Sequence, residues 1–263
     1  MPEPIHFSHA NSFPASSYRK LFAALAPEFE VGYIETLGHD PRYPVSDGWP
    51  HLVQQTLDYI TLHYREPVIG VGHSLGGFLT FLSAVARPEL FKAIVLLDSP
   101  IFGRRMSTLL YLSKRLGIIE HVTPGRGARA RRNDWPDLPS AMQHFAEKAL
   151  FRALDPDCLC DYVTYGTVEH NGRRRLLFQS DIEYQIYCGL PHDFPRHNGR
   201  LQVPAGFIGG RRSNVIYRSD LRHMRQNLGM VLQSFDGSHL FPLEKPQATA
   251  DAIRLMLTRL RNS

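Results

Sequence analysis

At 263 residues, 43% of them apolar, the chain is long enough to bury a full core, either as one large domain or as a domain carrying an insertion. A net charge of +5 raises nucleic acid as a partner, but Arg126, Arg129, Arg131 and Arg132 lack interleaved aromatics. Neither they nor Arg173, Arg174 and Arg175 sit in a recognisable nucleic-acid module, so they read as solvated surface, with attraction of anionic substrates left open.

Three cysteines, Cys158, Cys160 and Cys188, form an odd count whose first two members stand too close for an ordinary disulfide. The N-terminus lacks the pattern of a signal peptide, and no stretch reaches the ~18 apolar residues of a membrane span. A cytoplasmic protein without a membrane span is expected.

In chain order, Ile5–Ser8 reads as a short strand, 16–25 as a helix closed by Pro27, and Phe29–Ile34 as a second strand. Ser46-Asp47-Gly48 leads into a long helix in which Trp49, Leu52, Val53, Leu57 and Ile60 recur at helical spacing. The strand at 68–71 runs directly into Gly72-His73-Ser74-Leu75-Gly76, followed by an apolar, small-residue helix that stops near Pro88. In Gly-x-Ser-x-Gly the serine occupies the tip of a sharp, strained turn, and side chains at the two glycines would collide with neighbouring chain. Ser74 is therefore a candidate nucleophile.

Another strand covers 93–97 and ends at Asp98. From Pro100 to about Val203 only helical pieces are evident, notably 141–154 and 182–187, between Gly-, Pro- and Arg-rich loops, with no clear sheet strand. The alternation resumes with a strand at 203–208, a helix at 221–226, a strand at 230–235 and a terminal helix at 246–260. Strands alternating with helices predict a mostly parallel sheet covered on both faces. The domain reading is a core of residues 1–100 and 203–263 with a helical cap inserted over 101–202.

These pieces resemble the α/β-hydrolase superfamily over nearly the whole chain. Asp236-Gly237-Ser238-His239, with Glu244-Lys245-Pro246 downstream, is similar to the family's Gly-x-His segment, which implies His239 as general base. His9-Ala10-Asn11-Ser12-Phe13-Pro14 is similar to the family's oxyanion loop. It departs from it by Ala10 in place of glycine and by two extra residues before Pro14. The resemblance assigns the oxyanion amides to Asn11, with Ser12 or Phe13 as alternatives, and to Leu75. It also implies that two strands usually ahead of this loop are absent, leaving a sheet of about six.

The acid departs from the common pattern. Its usual turn reads Phe207-Ile208-Gly209-Gly210-Arg211-Arg212-Ser213, with Ser213 where the carboxylate is expected. Asp98 resembles the alternative acid position of some haloalkane dehalogenases and lipases, and parallel strands end at the same rim. Asp220 and Asp236 are the rivals.

The resemblance thus implies a capped serine hydrolase, esterase-like, acting on a small-molecule acyl substrate: a carboxylic ester or thioester. Carbon–carbon bond hydrolysis, lactone opening, acyl transfer and a non-catalytic binding protein are the alternatives. Serine at the elbow argues against epoxide hydrolysis and dehalogenation. No metal or organic cofactor is implied. Phe102 and Met106 are expected to line the substrate entrance; Trp135, Phe145, Phe151, Tyr162 and Tyr165 would suit an acyl chain or ring, with packing between cap helices the preferred reading for any one of them.

Overall fold

Strands that are apolar on both faces need helices above and below them. The computed structural model, which describes residues 2–262, is built that way. Its strands are β1 (Glu3–Ser8), β2 (Phe29–Tyr33), β3 (Val68–His73), β4 (Phe91–Leu97), β5 (Asp134–Trp135), β6 (Thr167–His170), β7 (Arg173–Leu176), β8 (Ala205–Gly210) and β9 (Val231–Phe235). Six of them form one sheet in the order β2-β1-β3-β4-β8-β9, and every neighbouring pair is parallel.

Period-two alternation divides the core. In β4, Ala93, Val95 and Leu97 face one side of the sheet, against Leu21 and Leu25 of α1 (Arg19–Leu25) and Ile253, Met256 and Leu257 of α12 (Pro246–Arg261). Ile94 and Leu96 face the other side. They pack there with Leu52 and Ile60 of α2 (Pro50–His63), Phe78 and Leu79 of α3 (Leu75–Ala86) and Met224 of α10 (Arg218–Leu228).

The sheet order reverses between β1 and β3, so the chain leaves their adjacent carboxyl ends in opposite directions. That reversal opens a crevice, the usual ligand position in a doubly wound sheet. The His9–Pro14 loop leaves β1 and Ser74 leaves β3 at this point.

Between β4 and β8 the helices are α4 (Arg104–Arg115), α5 (Ile119–Val122), α6 (Gly125–Arg129), α7 (Leu138–Glu147), α8 (Pro156–Gly166) and α9 (Ser180–Cys188). The expectation of helix and loop alone in this segment is corrected by a three-stranded antiparallel sheet, β5-β7-β6. Its hairpin turns on Asn171 (φ 52°) and Gly172 (φ 71°), two left-handed residues in the Asn-Gly pair that favours a tight hairpin. The run Arg173-Arg174-Arg175 in β7, which has no apolar alternation, hid that signal. The expected helix over 141–154 is α7, ending at Glu147, followed by a loop into α8, whose first residue is Pro156.

Candidate active site

Backbone geometry presents Ser74. Its φ of 53° and ψ of −118° lie in a region costly for a non-glycine residue, of order 1–3 kcal/mol. The turn is possible because its neighbours lack side chains. A Cβ on Gly76 would stand 1.9 Å from the Ser8 carbonyl oxygen, and one on Gly72 2.3 Å from that of Gly76. Ser99 Oγ donates to the Ser74 carbonyl at 2.8 Å, and Ser74 N–H to Leu97 O at 3.1 Å, which tie the elbow to the end of β4.

Ser74, His239 and Asp98 meet in one hydrogen-bonded row. His239 Nε2 lies 3.1 Å from Ser74 Oγ, and His239 Nδ1 lies 2.7 Å from Asp98 Oδ2. Because the carboxylate accepts, Nδ1 carries the proton, leaving the Nε2 lone pair to face the serine hydroxyl. Asp98 is fully buried and has its own donors: Gly210 N–H at 2.7 Å on Oδ1 and Ser213 Oγ at 2.5 Å on Oδ2. Ser213, at the position where an acid was expected, thus donates to the carboxylate that stands one strand away.

The rival acids are engaged elsewhere. Asp220 accepts from Gly103 N–H at 3.1 Å, bracing the start of α4, and burial raises its pKa. Asp236 is exposed and pairs with Arg212 and with Lys245, whose Nζ is 2.7 Å away.

Beside the row is a cavity of about 440 Å³ whose walls include Ser74, Leu75, Asp98, His239 and Asn11. Leu75 N–H belongs to the first turn of α3, where helical amides have no partner within the helix. Asn11 N–H makes no backbone hydrogen bond among the described residues, while its side-chain Nδ2 donates to Glu183 O at 3.3 Å. Phe102 lines the cavity. Met106 does not; as the third residue of α4 it is half-buried against the core on the side of α3 and α10, away from the cavity wall. Sequence reading missed Trp49, Phe78, Ile186, Tyr187 and Leu190 as cavity walls, since helical spacing marks such residues only as buried. A larger hollow of about 690 Å³ beside β8, β9 and α10 is bordered by arginines and holds neither Ser74 nor His239.

A second network braces the row from below. His73 Nε2 lies 2.8 Å from His239 O, and that carbonyl can only accept, so Nε2 carries the proton. His73 Nδ1 then accepts from Tyr18 Oη at 2.7 Å, and Tyr18 Oη accepts from Ala10 N–H at 3.4 Å. Elbow, histidine loop and the loop after β1 share this strut. Burial, with His239 adding to it, lowers the His73 pKa to about 3 and keeps the ring neutral. His9 braces the same loop: its Nδ1 donates to Ala10 O at 2.8 Å, and its Nε2 accepts from Leu37 N–H at 2.8 Å.

The profile of the Alpha/beta hydrolase family matches residues 7–252. The chain belongs to that family. Among solved structures, this alpha/beta hydrolase is similar to E-2-(acetamidomethylene)succinate hydrolase (TM-score 0.76, 18% identity, 98% of this chain and 91% of the other). It is also similar to a thioesterase domain from the curacin biosynthetic pathway (TM-score 0.74, 17% identity, 96% and 91%). A third is the peroxisomal alpha-beta-hydrolase Lpx1 of Saccharomyces cerevisiae (TM-score 0.76, 15% identity, 100% and 78%). A curated relative, the type I acyl-CoA thioesterase mpaH of Penicillium brevicompactum, is 29% identical over 101 residues, or 37% of this chain and 21% of its own length. The chain therefore aligns with only about a fifth of that relative. No helix among the described residues is long and apolar enough to cross a membrane.

Proposed function

We propose that this hydrolase cleaves a carboxylic ester or thioester through an acyl-enzyme on Ser74, beneath a cap formed by residues 101–202. The observation that carries the reading is the hydrogen-bonded row Ser74–His239–Asp98 at the wall of an apolar cavity. A serine hydroxyl is a weak nucleophile at neutral pH. His239 Nε2 removes its proton as Oγ attacks the acyl carbonyl, and buried Asp98 stabilises the imidazolium and holds its tautomer. The oxyanion receives hydrogen bonds from Leu75 N–H and Asn11 N–H, each such donor being worth about 10²–10³ in rate. His239 then passes its proton to the departing alcohol or thiol. Water, deprotonated by the same imidazole, releases the acid and restores Ser74.

Two features support an acyl substrate: the apolar walls of Trp49, Phe78, Phe102 and Leu190, and the partial likeness to an acyl-CoA thioesterase. The test is turnover of a matched ester and thioester in ¹⁸O-labelled water. One labelled oxygen should enter each released acid, and Ser74→Ala should abolish both reactions. Unlabelled acid, or a Ser74→Ala variant of undiminished rate, refutes the reading.

A further inference from the structure

Next to the catalytic cavity lies a second one of about 420 Å³, and the two share Asn11, Phe13, Pro124, Leu150 and Tyr187. Their common rim opens to solvent, since Leu150 is 59% exposed. Four rings line the inner side: Phe13, Phe145, Phe151 and Tyr162, with contacting centroids 4.8 to 5.9 Å apart.

The outer wall is cationic. Arg131 is ion-paired with the fully buried carboxylate of Glu183, but among the described residues no carboxylate stands within ion-pairing distance of Arg132 or Lys148. Arg132 is nonetheless fixed in place. Its Nε–H donates to Asp134 O at 2.8 Å and its guanidinium lies 5.7 Å from the Trp135 ring centre; among the described residues its terminal nitrogens have no hydrogen-bond partner, the nearby Asp134 carboxylate being paired first with Arg173 and Arg175. His144 on the same wall has a pKa below the ordinary histidine value, through burial first and then through Lys148 and Arg132. Both charges therefore act on a ring that lines the cavity, with Glu147 opposing them. The local excess is general: residues 101–202 carry fifteen Lys and Arg against eleven Asp and Glu, most of the net +5 of the chain.

We infer that the second cavity is a subsite for an anionic group, phosphate or carboxylate, carried by the substrate away from the scissile carbonyl and recognised by Arg132 and Lys148. A substrate lying across the shared rim places its reacting carbonyl in one cavity and its charged end in the other. A guanidinium pre-oriented over an aromatic ring loses little side-chain freedom on binding an oxyanion, and a phosphate or carboxylate matches its planar fork. The position of the scissile bond rests on the proposed reaction; the anion subsite itself does not.

The test separates the two by using Ser74→Ala, which binds without reacting. Dissociation constants are measured by ligand-observed NMR titration for phosphopantetheine against pantetheine, and for monomethyl adipate against methyl hexanoate. The anionic member of at least one pair should bind about tenfold more tightly. That preference should fall to about one in the Arg132→Gln/Lys148→Gln double variant, at about fivefold or less per exposed cation. An effect in the first pair alone assigns the anion to the leaving group, in the second alone to the acyl group, and in both to a subsite open to either. Equal binding within both pairs, or a preference that survives the double variant, overturns the inference whether or not Ser74 reacts.

Discussion

Replacing Asp98 by asparagine changes one atom and sets a conflict that the site cannot resolve. Asp98 accepts from three donors: Gly210 N–H on one oxygen, and Ser213 Oγ and His239 Nδ1 on the other. If the new amide keeps its oxygen toward Gly210, its NH₂ faces His239. The imidazole must then move its proton to Nε2, where it points at Ser74 Oγ and cannot accept from it. If the amide turns over, NH₂ meets the buried Gly210 N–H, at a cost of about 1–3 kcal/mol for the unmet groups. Either way the base is lost or the fold weakened. The expected loss in kcat for a p-nitrophenyl ester is about 10³–10⁴-fold, equivalent to ~4–5.5 kcal/mol of barrier. Asp220→Asn and Asp236→Asn, whose partners lie elsewhere, should stay within about threefold. An Asp98→Asn enzyme that is folded by circular dichroism and retains kcat within tenfold of the parent refutes the reasoning.

Tyr18→Phe strands His73 Nδ1 without a donor in a buried site, so urea unfolding should show a loss of about 1–3 kcal/mol. With the loop after β1 untied from the elbow and the His73 tautomer that donates to His239 O no longer fixed, kcat should fall about tenfold, more than KM changes. Gly76→Ala places a methyl carbon 1.9 Å from a backbone oxygen, so about 3 kcal/mol or more of stability should vanish together with activity, read by thermal unfolding. Acid should destabilise the fold early. His6, His9 and His73 are fully buried with pKa values lowered from 6.5 to about 3, 4 and 3. The unfolded chain binds these protons first, so stability is complete above pH 6.5 and declines as pH falls from there toward 4. At ~1.4 kcal/mol per unit for each ring, about 4 kcal/mol should be gone at pH 5.5. Urea midpoints that match at pH 7.5 and 5.5 contradict this.

The parallel sheet was legible because its strands are short, apolar on both faces and separated by amphipathic helices, as Val68–His73 and Phe91–Leu97 illustrate. The elbow was legible because only glycine fits at Gly72 and Gly76, a steric demand written directly into residue identity. The pairing of Asp98 with His239 is less local. It depends on β4 and β9 finishing at one rim, so that two residues 141 positions apart in sequence meet, which the parallel reading supplied and no spacing rule could. The hairpin at Asn171-Gly172 escaped because Arg173, Arg174 and Arg175 carry no apolar alternation; its strands hold by pairing and ion pairs to Asp134. The Tyr18–His73 strut was equally hidden, since nothing in a tyrosine at the start of a helix announces a partner 55 residues later.

The central claim is that Ser74 is an activated nucleophile. It is tested most directly by treating the folded protein with a fluorophosphonate and mapping the adduct by peptide mass spectrometry. One phosphonyl group per chain on Ser74 is predicted, forming rapidly near neutral pH and much more slowly in His239→Ala. Absence of labelling in folded protein, or labelling on another residue at the same rate, contradicts the account.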